Sequence, residues 1–182
     1  MSKVRWGIIG SGSIANAFAH SIKHSQNSEL IGVFGRNQNN LDNFSSKFGI
    51  KAYQNIEDLI SSTKIDAIYI ATPHNTHYEY SLLAIKNKKH ILCEKPITIN
   101  HLESMVLLTL AKEAEVFLME AYMYRVHPQT LNILDNLSIF DNTKNKITIT
   151  SSFGFSADLP ESHRLRNPHM GGCLLYTSPS PR

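Results

Sequence analysis

Lys3-Val4-Arg5-Trp6-Gly7-Ile8-Ile9-Gly10-Ser11-Gly12-Ser13-Ile14-Ala15 runs from a short β-rich segment through a glycine turn into a stretch where Ile14, Phe18 and Ile22 recur at helical spacing. Strand, turn and helix in that order are the context in which Gly-x-Gly-x-x-Ala signifies dinucleotide binding. Gly10 permits the tight turn, Gly12 lets the backbone approach a pyrophosphate, and Ala15 replaces the third glycine while keeping helix and strand close. The helix opening at Ser13 and Ile14 offers unpaired backbone N–H groups and a partial positive charge to the diphosphate. The competing reading is a glycine-rich turn that holds nothing.

Outward from that turn the same alternation repeats. Strands are predicted over 30–34, 51–53, 66–71, 90–93 and 116–120, and helices over 39–48, 56–60, 78–86 and 102–114, with Gly49 where a helix-ending glycine belongs. The run Asp66-Ala67-Ile68-Tyr69-Ile70-Ala71 is almost continuously apolar, as a strand buried on both faces should be. Six strands alternating with helices imply an α/β fold, a doubly wound parallel Rossmann sheet with helices on both faces. The rhythm changes after Tyr122. A helix over 128–137, a polar turn over 141–145 and a β-branched strand over 146–155 read as the start of an α+β second domain with an open mixed sheet. The expected division is therefore 1–122 for the dinucleotide domain and 123–172 for the beginning of a second domain.

Composition narrows the class. With 182 residues, 42% hydrophobic and 18% charged, the chain can bury a core, and a net charge of +3 spread along it gives no footprint for nucleic acid or an anionic membrane. Charged or amide side chains interrupt every apolar run before the roughly 20 residues a membrane span needs. The opening apolar run is too short for a signal peptide, so a cytoplasmic protein is expected. Two cysteines make neither a disulfide framework nor a zinc spacing, and no metal is expected.

Cofactor choice is read at the end of the second strand, where an NAD enzyme places a carboxylate for the ribose hydroxyls. Here the residues are Phe34-Gly35-Arg36-Asn37: no acid, and an arginine able to pair with a 2′-phosphate and stack on the adenine. NADP is the expected cofactor, with NAD second; an Arg36 that is merely solvated is the alternative. Thr72, His74 and His77 follow the fourth strand, and Glu94-Lys95-Pro96 follows the fifth. Carboxyl ends of central strands form the ligand crevice of such sheets, so these side chains should surround the nicotinamide and substrate. Lys95 placed there can hydrogen-bond a substrate hydroxyl and share in proton transfer. Taken singly, Lys95 also reads as a solvated loop lysine, and His74 and His77 as satisfied loop histidines.

Together these motifs, with His90-x-x-Cys93 and the run Met119-Glu120-Ala121-Tyr122-Met123-Tyr124-Arg125-x-His127-Pro128-Gln129, resemble the Gfo/Idh/MocA oxidoreductase family. The last run, with Phe153-Gly154-Phe155 and Arg164-Leu165, is similar to the branch of NADP-dependent D-xylose dehydrogenase and trans-dihydrodiol dehydrogenase. The resemblance covers 1–172. It implies that Lys95 is the active-site lysine, that the Lys95-Pro96 bond is cis, and that Glu94 and His77 line the nicotinamide pocket. It further implies hydride transfer between a sugar or diol carbon and the nicotinamide in a homo-oligomeric enzyme. A catalytically silent dinucleotide sensor is the alternative within the fold; a nucleotide-linked methyltransferase, the alternative outside it, lacks Glu-Lys-Pro after its fifth strand.

Two departures qualify that likeness. Gly35 stands where this branch commonly has serine, which removes a hydroxyl from the 2′-phosphate site. After Gly172 the family pattern is left altogether: Cys173-Leu174-Leu175-Tyr176-Thr177-Ser178-Pro179-Ser180-Pro181-Arg182 resembles a translated sequencing-library adapter. Residues 173–182 are thus expected to be non-native. The family's second-domain Tyr or His acid/base residue is then absent, and the chain by itself is expected to be an inactive or unstable fragment.

Overall fold

A computed structural model of the chain describes residues 3–137 and residue 150. These fall into two compact units, one ending at Ala121 and one beginning at Tyr122. The long strand expected over 146–155 lies, apart from Thr150, outside the described residues, as does the tail over 173–182.

The first unit is a six-stranded parallel sheet in the order β3-β2-β1-β4-β5-β6. Its strands are β1 (Val4–Ile9), β2 (Ser28–Phe34), β3 (Lys51–Tyr53), β4 (Ala67–Ile70), β5 (His90–Cys93) and β6 (Leu118–Glu120). Between them run α1 (Ser13–Lys23), α2 (Gln38–Phe48), α3 (Ile56–Ile60), α4 (His77–Lys86) and α5 (His101–Glu113). The doubly wound arrangement expected from the alternation is the one observed.

Side chains alternate across the central strands, which is why these read as continuous apolar runs. On one face Ile9, Ile68, Ile70, Ile91 and Cys93 pack with Leu59, Ile60, Ala84, Ile85, Leu107 and Ala111. On the other, Ile8, Val33 and Tyr69 pack with Ala15 and Ala19 of α1 and with Leu41, Phe44 and Phe48 of α2. Phe18 stacks on Tyr69 with centroids 4.0 Å apart, and Trp6 meets Phe18 edge-on. The helix boundaries follow local chemistry. Asn37 and Asn100 accept from Asn40 N and Glu103 N to cap α2 and α5, and Gly49 closes α2 in the left-handed region at φ 67°.

Differences from the sequence reading lie where a distant partner sets the boundary. β2 begins at Ser28 because Val4 of β1 pairs with it, and β6 is shortened to the three residues that pair with Ile91, Leu92 and Cys93. Residues His74–Thr76 form a 3-10 turn ahead of α4. Among the described residues, the second unit holds a 3-10 turn at Met123–Val126 and α6 (Pro128–Leu137). There Pro128 holds the first helical position and Gln129 N donates to His127 Nδ1 at 3.2 Å. Among the described residues no helix is long and apolar enough to cross a membrane.

Candidate active site

All six strands stop on one line. Tyr53, Phe34, Ile9, Ile70, Cys93 and Glu120 are consecutive aligned partners across the sheet. The ladder continues for one further residue. Gly10 N donates to Phe34 O, Ala71 N to Ile9 O, Glu94 N to Ile70 O and Ala121 N to Cys93 O, at 2.7–2.9 Å. Every loop singled out in the sequence therefore leaves the sheet at the same level. The strand order reverses between β1 and β4, the switch point at which ligands of such sheets bind.

The two fingerprint glycines are needed for different reasons. Gly10 has φ +108°, and a Cβ on it would lie 2.5 Å from Ala71 O. Its requirement is steric and internal, since β1 and β4 emerge too close together for a side chain. Gly12 has ordinary extended angles, and a Cβ there would meet nothing within 4 Å. What Gly12 keeps clear is open space in front of α1. That helix has no acidic residue in its first turn and no side-chain cap, whereas α2 and α5 carry Asn caps. Its opening N–H groups, from Ser13 and Ile14 onward, suit an anion approaching across Gly12. Ala15 is fully buried behind them.

These observations separate fold from ligand in a test. In Gly12→Val the fold should survive at a cost of at most about 1 kcal/mol, since only the cap position changes. Affinity for the dinucleotide should fall by about two orders of magnitude as backbone hydrogen bonds to the phosphates are lost. Thermal denaturation and a fluorescence titration with NADPH check the two halves.

At the end of β2, Gly35 abuts the fingerprint loop: a Cβ on it would lie 2.9 Å from Ser11 Oγ. Arg36 is exposed beside it. Its charge nonetheless reaches the Tyr80 hydroxyl, whose pKa burial raises and Arg36 pulls back.

The Lys95-Pro96 peptide bond is cis, as the resemblance implied. Five contacts hold the loop around it. Glu94 Oε1 accepts from the Tyr69 hydroxyl at 2.7 Å, and its Oε2 from Lys95 N at 3.3 Å. Pro96 O lies 2.7 Å from His77 Nδ1. Glu120 Oε1 accepts from Ile97 N at 2.9 Å, and the Cys93 thiol donates to Ile97 O at 3.9 Å. Burial, together with the bond to Glu94, pushes the Tyr69 pKa up, so its hydroxyl remains a donor. Burial likewise raises the Cys93 thiol, which is a structural group rather than a nucleophile. Lys95 itself is half-buried at the rim.

His74 and His77, expected beside the nicotinamide, are both buried. His77 is fully buried, with Nδ1 against Pro96 O and Nε2 2.9 Å from Thr72 O, two acceptors that give a proton on either nitrogen a partner. Its ring joins the loops after β4 and β5 from behind. His74, 3% exposed, sits with its ring 5.7 Å from that of His77 and is equally withdrawn. Thr72 stays near the surface, its hydroxyl 2.8 Å from that of Thr76. Tyr69, Cys93 and Glu120 hold this loop, a role the sequence reading gave to none of them. A tyrosine inside a buried strand was the available signal, because its hydroxyl must find a partner. Among the described residues no group of three or more His, Cys, Asp or Glu side chains could hold a metal.

Comparison with known proteins agrees with this arrangement. The family described as "Oxidoreductase family, NAD-binding Rossmann fold" matches residues 4–122. Trans-1,2-dihydrobenzene-1,2-diol dehydrogenase of Danio rerio is 31% identical over 175 residues, covering 94% of this chain and 52% of that protein. D-xylose 1-dehydrogenase (NADP(+)) of Hypocrea jecorina is 28% identical over 193 residues, covering 93% and 48%. Among solved structures, KijD10, a 3-ketoreductase from Actinomadura kijaniata in complex with NADP and TDP-benzene, superposes with a TM-score of 0.71 at 27% identity, covering 76% of this chain and 43% of that one. The chain spans about half the length of the curated relatives it matches.

Proposed function

The chain belongs to the oxidoreductase family with an NAD-binding Rossmann fold, and from that premise we propose that the intact protein is an NADP-dependent dehydrogenase oxidising a hydroxyl-bearing carbon of a sugar or diol. The observation that carries this reading is Lys95, set at the rim of the crevice by a loop that Tyr69, His77 and Glu120 all hold. A protein that only sensed a dinucleotide would have no use for a lysine fixed in that way.

The residues present fit a dinucleotide. Gly12 leaves open space into which a Cβ would project, the uncapped start of α1 takes the pyrophosphate, and Arg36 with no carboxylate beside it in sequence favours a 2′-phosphate. A bound nicotinamide supplies the acceptor for the hydrogen and electron pair leaving the substrate carbon. The chain does the rest: Thr72 and the Glu94-Lys95 backbone wall the pocket, and Lys95 Nζ holds the substrate hydroxyl and passes on its proton. Residues 123–172 are assigned to the start of the domain that completes the substrate pocket and supplies the remaining acid/base group.

The test is reduction of NADP and of NAD by the intact protein with a panel of aldoses and trans-diols. Turnover with NADP well above that with NAD is expected. Equal or better turnover with NAD would remove the 2′-phosphate assignment. Tight NADPH binding without turnover on any member of the panel would favour the sensor.

A further inference from the structure

An open cleft of about 590 Å³ lies at the β3 edge of the sheet, on the α3 side, where residues 61–64 lead from α3 into β4. None of its lining belongs to the loops after β1, β4 or β5, so it is separate from the crevice. Its floor is apolar: Ile31 of β2 and the ring of Tyr53, which lies so close to β2 that a Cβ on Gly32 would meet Tyr53 Cε2 at 2.5 Å. The wall is polar. Ser61, Ser62 and Thr63 bring hydroxyls, Lys51 and Lys64 bring ammonium groups, and Asp58 is the one carboxylate. Lys51 Nζ stands over the Tyr53 ring, 4.2 Å from its centre. The wall is also anchored: the Tyr53 hydroxyl donates to Ser62 Oγ at 3.4 Å, and the buried Lys89 ammonium donates from behind to Ser62 O and Ile65 O, each at 2.8 Å. Lys89 is bonded there to carbonyls rather than to a carboxylate, since Asp66 is taken by Arg5. Its charge therefore adds to that of Lys51 and Lys64 across this wall.

We propose that this cleft binds the phosphate ester of a small polyol, as a second site apart from the dinucleotide. Each kind of lining group has a place in such a ligand. The phosphoryl group takes charge-assisted contacts from Lys51 and Lys64, whose flexible stems let them swing to it, and hydrogen bonds from the exposed hydroxyls of Ser61 and Thr63. The Asp58 carboxylate repels a bare anion but accepts from a carbon-bound hydroxyl, and Ile31 with Tyr53 takes the carbon chain. Inorganic phosphate alone would leave Asp58 and the apolar floor without a role. The volume falls within the roughly 300–1,000 Å³ of small-molecule pockets.

The test is calorimetric titration of the intact protein with glycerol 3-phosphate and with inorganic phosphate, in excess NADPH so that neither phosphate reports the start of α1. Amide resonances of residues 61–64 report where each binds. The ester should bind about tenfold more tightly than inorganic phosphate and shift those resonances. Lys51→Met and Lys64→Met should each weaken the ester by about tenfold, while Lys86→Met, on the exposed surface of α4, should leave it within about twofold. Asp58→Asn should weaken the ester and strengthen inorganic phosphate. All four side chains are exposed, so these variants keep the fold. Inorganic phosphate binding as tightly as the ester would reduce the cleft to general anion attraction and overturn the proposal. An unchanged affinity in Lys64→Met, or resonance shifts confined to other residues, overturns it too. Absence of ester binding overturns it and leaves the dinucleotide reading untouched.

Discussion

Lys95→Met should lower kcat/KM of the intact enzyme by about three orders of magnitude, within the range lost when a positioned proton-transfer group is removed. NADPH affinity should stay within about threefold, because the pyrophosphate contacts lie on the fingerprint loop and not on this one. Methionine keeps the length and apolar stem of lysine and removes only the charge and the donors. The loop should also keep its shape. The Glu94 carboxylate, Pro96 O and the Ile97 backbone keep their contacts in this variant. A fall in kcat with unchanged NADPH binding is therefore the signature of a group acting on the substrate. Full activity in Lys95→Met would end the assignment of Lys95 as the catalytic residue.

Gly10→Ala should lower the stability of the protein sharply. A methyl at residue 10 would sit 2.5 Å from Ala71 O and 2.9 Å from Ala71 C, and both are backbone atoms of the neighbouring strand end. That strand end cannot yield cheaply, since Ala71 N is bonded to Ile9 O in the same ladder. The φ of +108° adds strain for any residue with a Cβ. Clash and strain together should cost about 3–5 kcal/mol. That is a large share of the roughly 5–15 kcal/mol by which a domain is stable. Chemical denaturation checks this, and a midpoint equal to that of the wild type would show that β1 and β4 separate more freely than the structure indicates. Set beside Gly12→Val, the substitution shows two glycines of one motif failing differently, one in folding and one in binding.

The sheet was legible in the sequence because its signals are local. Apolar runs bounded by glycine and proline mark the strands, and an αL glycine at 49 and the spacing of Leu41, Phe44 and Phe48 mark α2. The crevice was legible for the same reason, since every strand of a parallel sheet delivers its following loop to one edge. What the sequence did not disclose depends on register across strands. The Tyr69–Glu94, His77–Pro96 and Glu120–Ile97 contacts join residues 25, 19 and 23 positions apart. No periodicity links such pairs; they meet because Ile70, Cys93 and Glu120 end in one row. The burial of His77 has the same origin. Its position after β4 pointed to the pocket, whereas α4 begins at that residue and turns the ring inward behind Pro96.

A crystal structure of the protein with NADPH tests most directly whether this edge is a dinucleotide site. The pyrophosphate should lie against the backbone N–H groups of Ser13 and Ile14 across Gly12. The adenosine ribose should sit between Ser11 and Arg36, and the nicotinamide between Thr72 and Lys95. A nucleotide bound elsewhere, or no nucleotide at saturating NADPH, would contradict that placement and the function built on it.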